Sequence, residues 1–331
     1  MKKLTIILTA LPLVAASFVW VGLAHAVTTC SFTTVGDVMY LDADCTTDST
    51  IVIPDGMMLD GQGFTITGID APGGFNGAVV KNDGDEARVR NLNVTVSGLI
   101  NTCKPGAPTD NRLRGILFDG ASGSIVNNTV NGINKGASGC QEGNAIEVRN
   151  APFDGTHPNT MSVDVMFNSL DGFQKSGIVA NGDVEVLIAH NQIGQSATQA
   201  NLAANSIQLG FGAIGTIQHN QVMGNQWLGA SSFSATAILL FDVDGAEVRF
   251  NNIRGNSDVG IYGFANDSNI SNNRVFDEGE DGAHGDYGVF NDGTGNVVKH
   301  NVVRGFDTAY EGVTGGKNIR VGGPQQGNAW F

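Results

Sequence analysis

The sequence predicts an all-β solenoid, a chain wound into stacked coils of short strands, and two observations carry that prediction. An asparagine standing two residues before an aliphatic residue recurs seven times: Asn128/Val130, Asn168/Leu170, Asn191/Ile193, Asn220/Val222, Asn251/Ile253, Asn273/Val275 and Asn301/Val303. Successive asparagines are 40, 23, 29, 31, 22 and 28 residues apart, the period of one coil, lengthened in places by inserted loops. The second observation is glycine. There are 46 glycines and only 8 prolines in 331 residues, which suits a fold made mostly of tight corners where φ is often positive.

From the N-terminus, residues 1–26 have the form of a secretory signal. Lys2 and Lys3 precede an apolar run from Leu4 to Leu23, and Ala24-His25-Ala26 is a small-x-small cleavage site. The run is almost long enough to span a bilayer, but the small-x-small ending favours cleavage before Val27 over a membrane anchor. The protein is thus expected to be exported to the periplasm, cell surface or medium, with no transmembrane segment in the mature chain. Removing the signal takes away two lysines and no acid, so 16 basic residues face 32 acidic ones and the net charge is about −16. Nucleic acid is excluded as a partner, because no stretch clusters Lys or Arg. An acidic polysaccharide would need a local basic patch or bridging Ca²⁺, whereas a neutral glycan meets no such barrier.

Four cysteines in an exported chain suggest two disulfides. Cys30–Cys45 would flank the strand-like stretch from Phe32 to Leu41. Cys103–Cys140 would join two loops that occupy the same place in successive repeats, side by side once the coils stack. Zinc is disfavoured, since no CxxC or nearby histidine accompanies any cysteine. Residues 27–55 are expected to cap the open sheet edge at the N-terminal end.

Over residues 56–313, each repeat starts with a small residue and an aliphatic one, as in Gly115-Ile116, Gly177-Ile178, Ala237-Ile238, Gly260-Ile261 and Gly288-Val289. Short strands of period two follow. One coil cannot bury its apolar face alone. Stacking places Ile116, Ile146, Ile178, Ile207, Ile238, Ile261 and Val289 in one continuous inward column. The recurrent asparagine is expected to be structural, because it tolerates a left-handed corner and its amide can both donate to and accept from stacked neighbours. His190, His219 and His300 precede ladder asparagines in a slot that elsewhere holds Asn127, Phe167, Phe250 or Asn272, which marks a stacking position and not a metal column. Residues 314–331, with Gly-Gly-Pro and little periodicity, are expected to form a terminal cover or tail.

The repeated asparagine turns, and the opening Leu59-Asp60-Gly61-Gln62-Gly63-Phe64-Thr65-Ile66-Thr67-Gly68, resemble the right-handed parallel β-helix proteins of the pectin-lyase-like superfamily. The resemblance implies a single-domain right-handed parallel β-helix with an N-terminal cap. It also implies a substrate groove along the sheet made by the first strand of each coil, but it leaves activity open, because this architecture hosts many functions.

The outward residues of that sheet would be Leu117, Glu147, Val179, Gln208, Leu239, Tyr262 and Phe290. They lack the Asp, Lys and Arg array that would resemble a calcium-dependent pectate lyase, and the close pair of acids a glycoside hydrolase requires. Reactive groups concentrate in two loops instead. In the loop Asp277–Tyr287, His284, Tyr287 and Asp286 could exchange protons with a uronic acid, while Glu280 and Asp281 could hold Ca²⁺. Tyr287-Gly288 resembles the opening of the catalytic motif of mannuronan C5-epimerases, although no Asp-Pro-His follows and only Tyr287 transfers. The second cluster is Glu147, Arg149, Asp154 and His157. A third feature is aromatic: Trp227, Tyr262 and Phe290 could form a platform for sugar rings.

The expected function is engagement of a polysaccharide or cell-surface glycan by a monomer that needs no cofactor, with Ca²⁺ as an option. Lyase or epimerase chemistry on a uronic-acid glycan is its sharpest form. The alternative is a non-catalytic surface, adhesive or structural scaffold.

Overall fold

The computed structural model describes residues 28–100, 112–136, 138–150, 160–196, 201–229, 233–279 and 285–322. Among the described residues every regular element is a β-strand. From Ile51 onward the strands fall in rotation into three sheets. Ile51–Ile53 starts the front sheet, Met57–Asp60 continues a second, Thr65–Gly68 lies in a third, and Ala78–Asn82 returns to the front beside Ile51–Ile53. The rotation continues until the front sheet holds ten strands and the other two hold eleven each. Connections that bring the chain back to a parallel neighbour are right-handed for L-residues. The protein is a right-handed parallel β-helix.

The predicted inward column exists in strict register. Ile116, Ile146, Ile178, Ile207, Ile238, Ile261 and Val289 pair coil to coil, and all are 0 % exposed. The aliphatic residue of each asparagine phrase forms a second column on the third sheet, from Val130 through Leu170, Ile193, Val222, Ile253 and Val275 to Val303. The second sheet adds Ile125, Val165, Ile188, Ile217, Val248 and Ile270. The small residue that opens each repeat has a packing reason as well. A Cβ on Gly177 would lie 2.6 Å from the Ser206 carbonyl oxygen and 2.9 Å from Ile193.

The ladder asparagines are buried and run through the coils as one hydrogen-bonded chain. Asn220 shows the pattern: its Oδ1 accepts from the Asn191 backbone N–H (2.9 Å) and Nδ2 (3.0 Å). Its own Nδ2 donates to the Ile188 carbonyl (2.9 Å) and to Asn251 Oδ1 (3.0 Å). Every amide is thus oriented by its neighbour. The ladder also runs one coil beyond the seven expected members, since Asn318 Oδ1 accepts from Asn301. Arg320 stands where the aliphatic residue would be, which is why Asn318 escapes the sequence pattern.

Three expectations are corrected. The left-handed residue at each corner is not the ladder asparagine but its predecessor: Asn127, Phe167, His190, His219, Phe250, Asn272 and His300 have φ between 55° and 58°. The asparagine must turn its amide inward, so the outward, left-handed position falls to the residue before it. Residues 27–55 are more than a cap. An antiparallel hairpin of Phe32–Val35 and Val38–Leu41 ends the second sheet, but Cys45–Thr47 and Ile51–Ile53 already belong to the third and front sheets. Finally, the C-terminal stretch contributes Ile319–Val321, which pairs with Val302–Arg304.

The stacking position holds as expected, with Phe167, His190, His219 and Phe250 lying nearly parallel at 5.1–5.2 Å between centroids. Cys30–Cys45 is a disulfide, consistent with an oxidising compartment. Cys140 is also disulfide-bonded, while Cys103 and residues 1–27 lie outside the described residues. No helix among the described residues is long and apolar enough to cross a membrane.

Replacing Asn220 by Ala orphans buried backbone and amide groups in two coils. A loss of about 2–4 kcal/mol in urea unfolding is expected, with a smaller loss for Asn318→Ala at the partly exposed end. Equal losses would show that the ladder does not act as a chain. Ile207→Asp places an unpaired charge in the aliphatic column and is expected to abolish soluble folding.

Candidate functional site

The outward column of the front sheet is in register as predicted, from Leu117 through Glu147, Val179, Gln208, Leu239 and Tyr262 to Phe290. Its two halves differ sharply. Leu117, Glu147 and Val179 are at most 4 % exposed although they point away from the core, whereas the residues from Gln208 onward are only half-buried. The face is covered at the coils of Leu117, Glu147 and Val179 and open over the later ones.

The covered half contains a charged network. Glu147 accepts from Arg114 Nε, from Arg114 Nη2 (3.3 Å) and from Asn144 Nδ2 (2.8 Å). Two residues further along the same strand, Arg149 clasps Asp119 through Nε (3.0 Å) and Nη2 (2.8 Å), and Lys81 reaches the same carboxylate at 3.2 Å. Burial pushes the Asp119 carboxyl up, but the hydrogen bond and charge of Arg149, with Lys81, outweigh it and hold Asp119 below its ordinary value. Within the second predicted cluster, Glu147 and Arg149 are therefore committed to buried ion pairs. Asp154 and His157 lie outside the described residues.

The open half forms a groove of ≈ 670 Å³. Its floor carries Asn205, Thr236, Val259 and Tyr287 in one column and Leu239, Tyr262 and Phe290 in the next. Tyr262 and Phe290 stack with centroids 5.0 Å apart and planes within 5°, and Tyr287 extends the stack at 5.1 Å. Trp227 and Phe233 contribute one wall, while Leu202, Ala203, Gln141 and Lys175 line the end nearer the covered half. A single carboxylate positions the Trp227 loop, since Asp258 Oδ2 accepts from the Trp227 N–H (3.0 Å) and the Ala235 N–H (2.8 Å). The Asp258 carbonyl also receives the Tyr287 N–H (3.0 Å), tying wall to floor. Trp227, Tyr262 and Phe290, the predicted aromatic trio, thus line one groove.

Of the predicted reactive loop, Glu280, Asp281 and His284 lie outside the described residues. Tyr287 faces the groove. Asp286 does not: it occupies the slot that Asp258 fills one coil earlier, and its carboxylate accepts the Asp307 N–H, so it stabilises a corner. Among the described residues no group of three or more His, Cys, Asp or Glu could hold a metal ion.

Lys175, which no sequence motif marks, also lines this groove. Its ammonium donates to the Ala203 carbonyl (2.7 Å), and burial alone pushes its pKa down to about 8. No motif surrounds it; its place in the slot just before the Ser176 strand is the sole sequence cue. At the far end, burial together with nearby Asp292, which accepts its hydroxyl at 3.4 Å, raises Tyr262 above the ordinary tyrosine value. A second trough, along the third sheet beside His190, His219 and Phe250, offers less. Its lining is mostly polar, with Asp171, Gln192, Gln221, Asn252 and Arg254 around the stacked rings.

Glu147→Ala leaves Arg114 buried and unpaired and is expected to cost about 3–5 kcal/mol. Arg114→Met in the same chain should recover most of that loss in chemical unfolding. The folded protein holds the Lys175 proton more weakly than the unfolded chain does. The ammonium therefore costs stability below about pH 8, and that cost fades as pH rises toward 10.5. Lys175→Met should raise the melting temperature at neutral pH, with the difference from wild type shrinking across that window. A difference that is flat with pH would remove the assignment.

No protein-family model and no curated protein matches the chain. Among solved structures, the Dettilon tailspike protein (gp208) is 16% identical with a TM-score of 0.51, over 80% of this chain and 55% of that one. This chain spans about half the length of that tailspike. Looser likenesses are the periplasmic alginate epimerase AlgG, at 10% identity and TM-score 0.41 over 87% of this chain and 78% of that one, and the A-module of the Azotobacter vinelandii mannuronan C-5 epimerase AlgE6, at 14% identity and TM-score 0.35 over 87% and 90%. At these identities the likeness to the tailspike concerns the fold alone, and that fold is the right-handed parallel β-helix.

Proposed function

We propose that the protein engages a polysaccharide, laid along the groove on the front sheet. The observation that carries this reading is the aromatic floor. Tyr262, Phe290 and Tyr287 form a half-exposed stack beside Trp227, an apolar strip of ring edges against which the C–H groups of sugar rings can pack. Asn205 and Thr236 lie beside it, buried and hydrogen-bonded to each other (2.9 Å), so they shape the floor. The groove crosses several coils, so it fits an extended chain better than one sugar.

The enzymatic form of this reading is lyase or epimerase chemistry on a uronic-acid unit. Tyr287 would exchange the proton, with His284 and a Ca²⁺ held by Glu280 and Asp281 as partners. The described groove lining holds no carboxylate, which favours the non-catalytic form, a glycan-binding or adhesive module. Export, as the first 26 residues suggest, would place either form beside extracellular or periplasmic glycans.

The test is retention of the mature protein on immobilised polysaccharides, with and without Ca²⁺, while unsaturated product is followed by ultraviolet absorbance. Retention without product supports the binding module; product supports the lyase; neither, with no epimerised sugar by NMR, ends the glycan reading. Tyr262→Ala and Phe290→Ala are each expected to weaken retention about tenfold or more. The melting temperature should fall little, since both side chains lie outside the core.

A further inference from the structure

We propose that the groove is built for an oligosaccharide carrying an isolated acidic sugar among neutral ones, with Lys175 receiving the carboxylate and the Tyr262/Phe290 shelf receiving neutral rings. This rests on the glycan reading of the same groove.

The argument starts from how the protein treats its other buried cations. Arg114 is paired with Glu147, Arg149 with Asp119, and Lys135 with Glu142 at 3.2 Å. Each of these neutralises its charge inside the chain, as burial of an ion requires. Lys175 departs from that rule. Its ammonium bonds a backbone carbonyl and no carboxylate among the described residues, in a chain whose acids outnumber its bases by 14. It is also the one charged side chain among the described residues lining the groove. Among the described residues one of its three donors has a partner, and a carboxylate there would supply the missing counter-charge.

The opposite end has the reverse polarity. Asp292 lies against the Tyr262 hydroxyl, and Glu311 follows Phe290 in the same outward column. A polyuronate bears a carboxylate on every ring and would bring several of them over this neutral-to-acidic shelf, where they would be repelled. A single acid at Lys175 meets no such opposition. From the coil of Val179 to that of Tyr262 is three strand spacings, about 14 Å. The two contact points thus read separate sugars of one chain.

The experiment is titration calorimetry of the full mature protein with gluco-, manno- and xylo-oligosaccharides, the same backbones bearing one glucuronic acid, and galacturonate oligomers. The expected result is that a singly acidic member binds about tenfold or more tightly than its neutral parent and more tightly than any galacturonate oligomer. Lys175→Met should erase that increment, while Lys175→Arg preserves it. Tightest binding to galacturonate oligomers would overturn the proposal, as would an increment that survives in Lys175→Met. Binding of neutral members with no acid increment would overturn it while leaving the glycan reading intact. Silence across the whole panel would remove both.

Discussion

The buried asparagine ladder fixes the register of every coil against the next, and the rest of the molecule depends on that register. An aliphatic interior alone would tolerate slippage between similar coils, because one Ile or Val column resembles another. The amides do not. Each must find the N–H and the amide of the preceding asparagine and the carbonyl of the preceding coil, and a shifted coil would bury these groups unpaired. With the register held, the side chains that close the core fall in line, and so do the outward residues between them.

The corner residues show what such a ladder imposes. Because the asparagine directs its amide inward, the preceding residue takes the left-handed conformation, where bulky side chains are uncommon. Phe167, His190, His219 and Phe250 accept it nonetheless. Their rings stack along the helix axis, and each such contact returns about 0.5–1.5 kcal/mol, of the order of the strain. In the coil where the corner is Asn127, an amide hydrogen bond to Asn91 (2.6 Å) serves instead.

On the outer face the same register yields two different environments. At the coils of Leu117, Glu147 and Val179 the outward groups are buried and the charges beside them paired; over the later coils the sheet is open, aromatic and nearly free of charge. The Trp227 loop marks the change, and Asp258 holds it by both ends. The groove therefore owes its shape to the solenoid and its character to a handful of side chains that the solenoid does not need.

The sequence by itself determined the architecture. Its period, the inward column from Ile116 to Val289 and the ladder from Asn128 to Asn301 were all legible, because in a solenoid each residue's neighbours are its counterparts one repeat away. The aromatic trio of the groove was legible for the same reason: Tyr262 and Phe290 occupy adjacent places in one column. What only the tertiary structure decided lies where contacts leave that repeat. The corner conformation moved by one residue, because the direction of an amide is a matter of three dimensions. Asn318 joined the ladder without its aliphatic companion. Glu147, a candidate acid by sequence, was claimed by Arg114 from the coil before. Lys175, which no motif distinguishes, became notable through the lack of a described carboxylate beside it. Pairing of charges across coils, and the burial of one stretch of an outward face, depend on side-chain reach and packing, and neither has a period that a sequence can display.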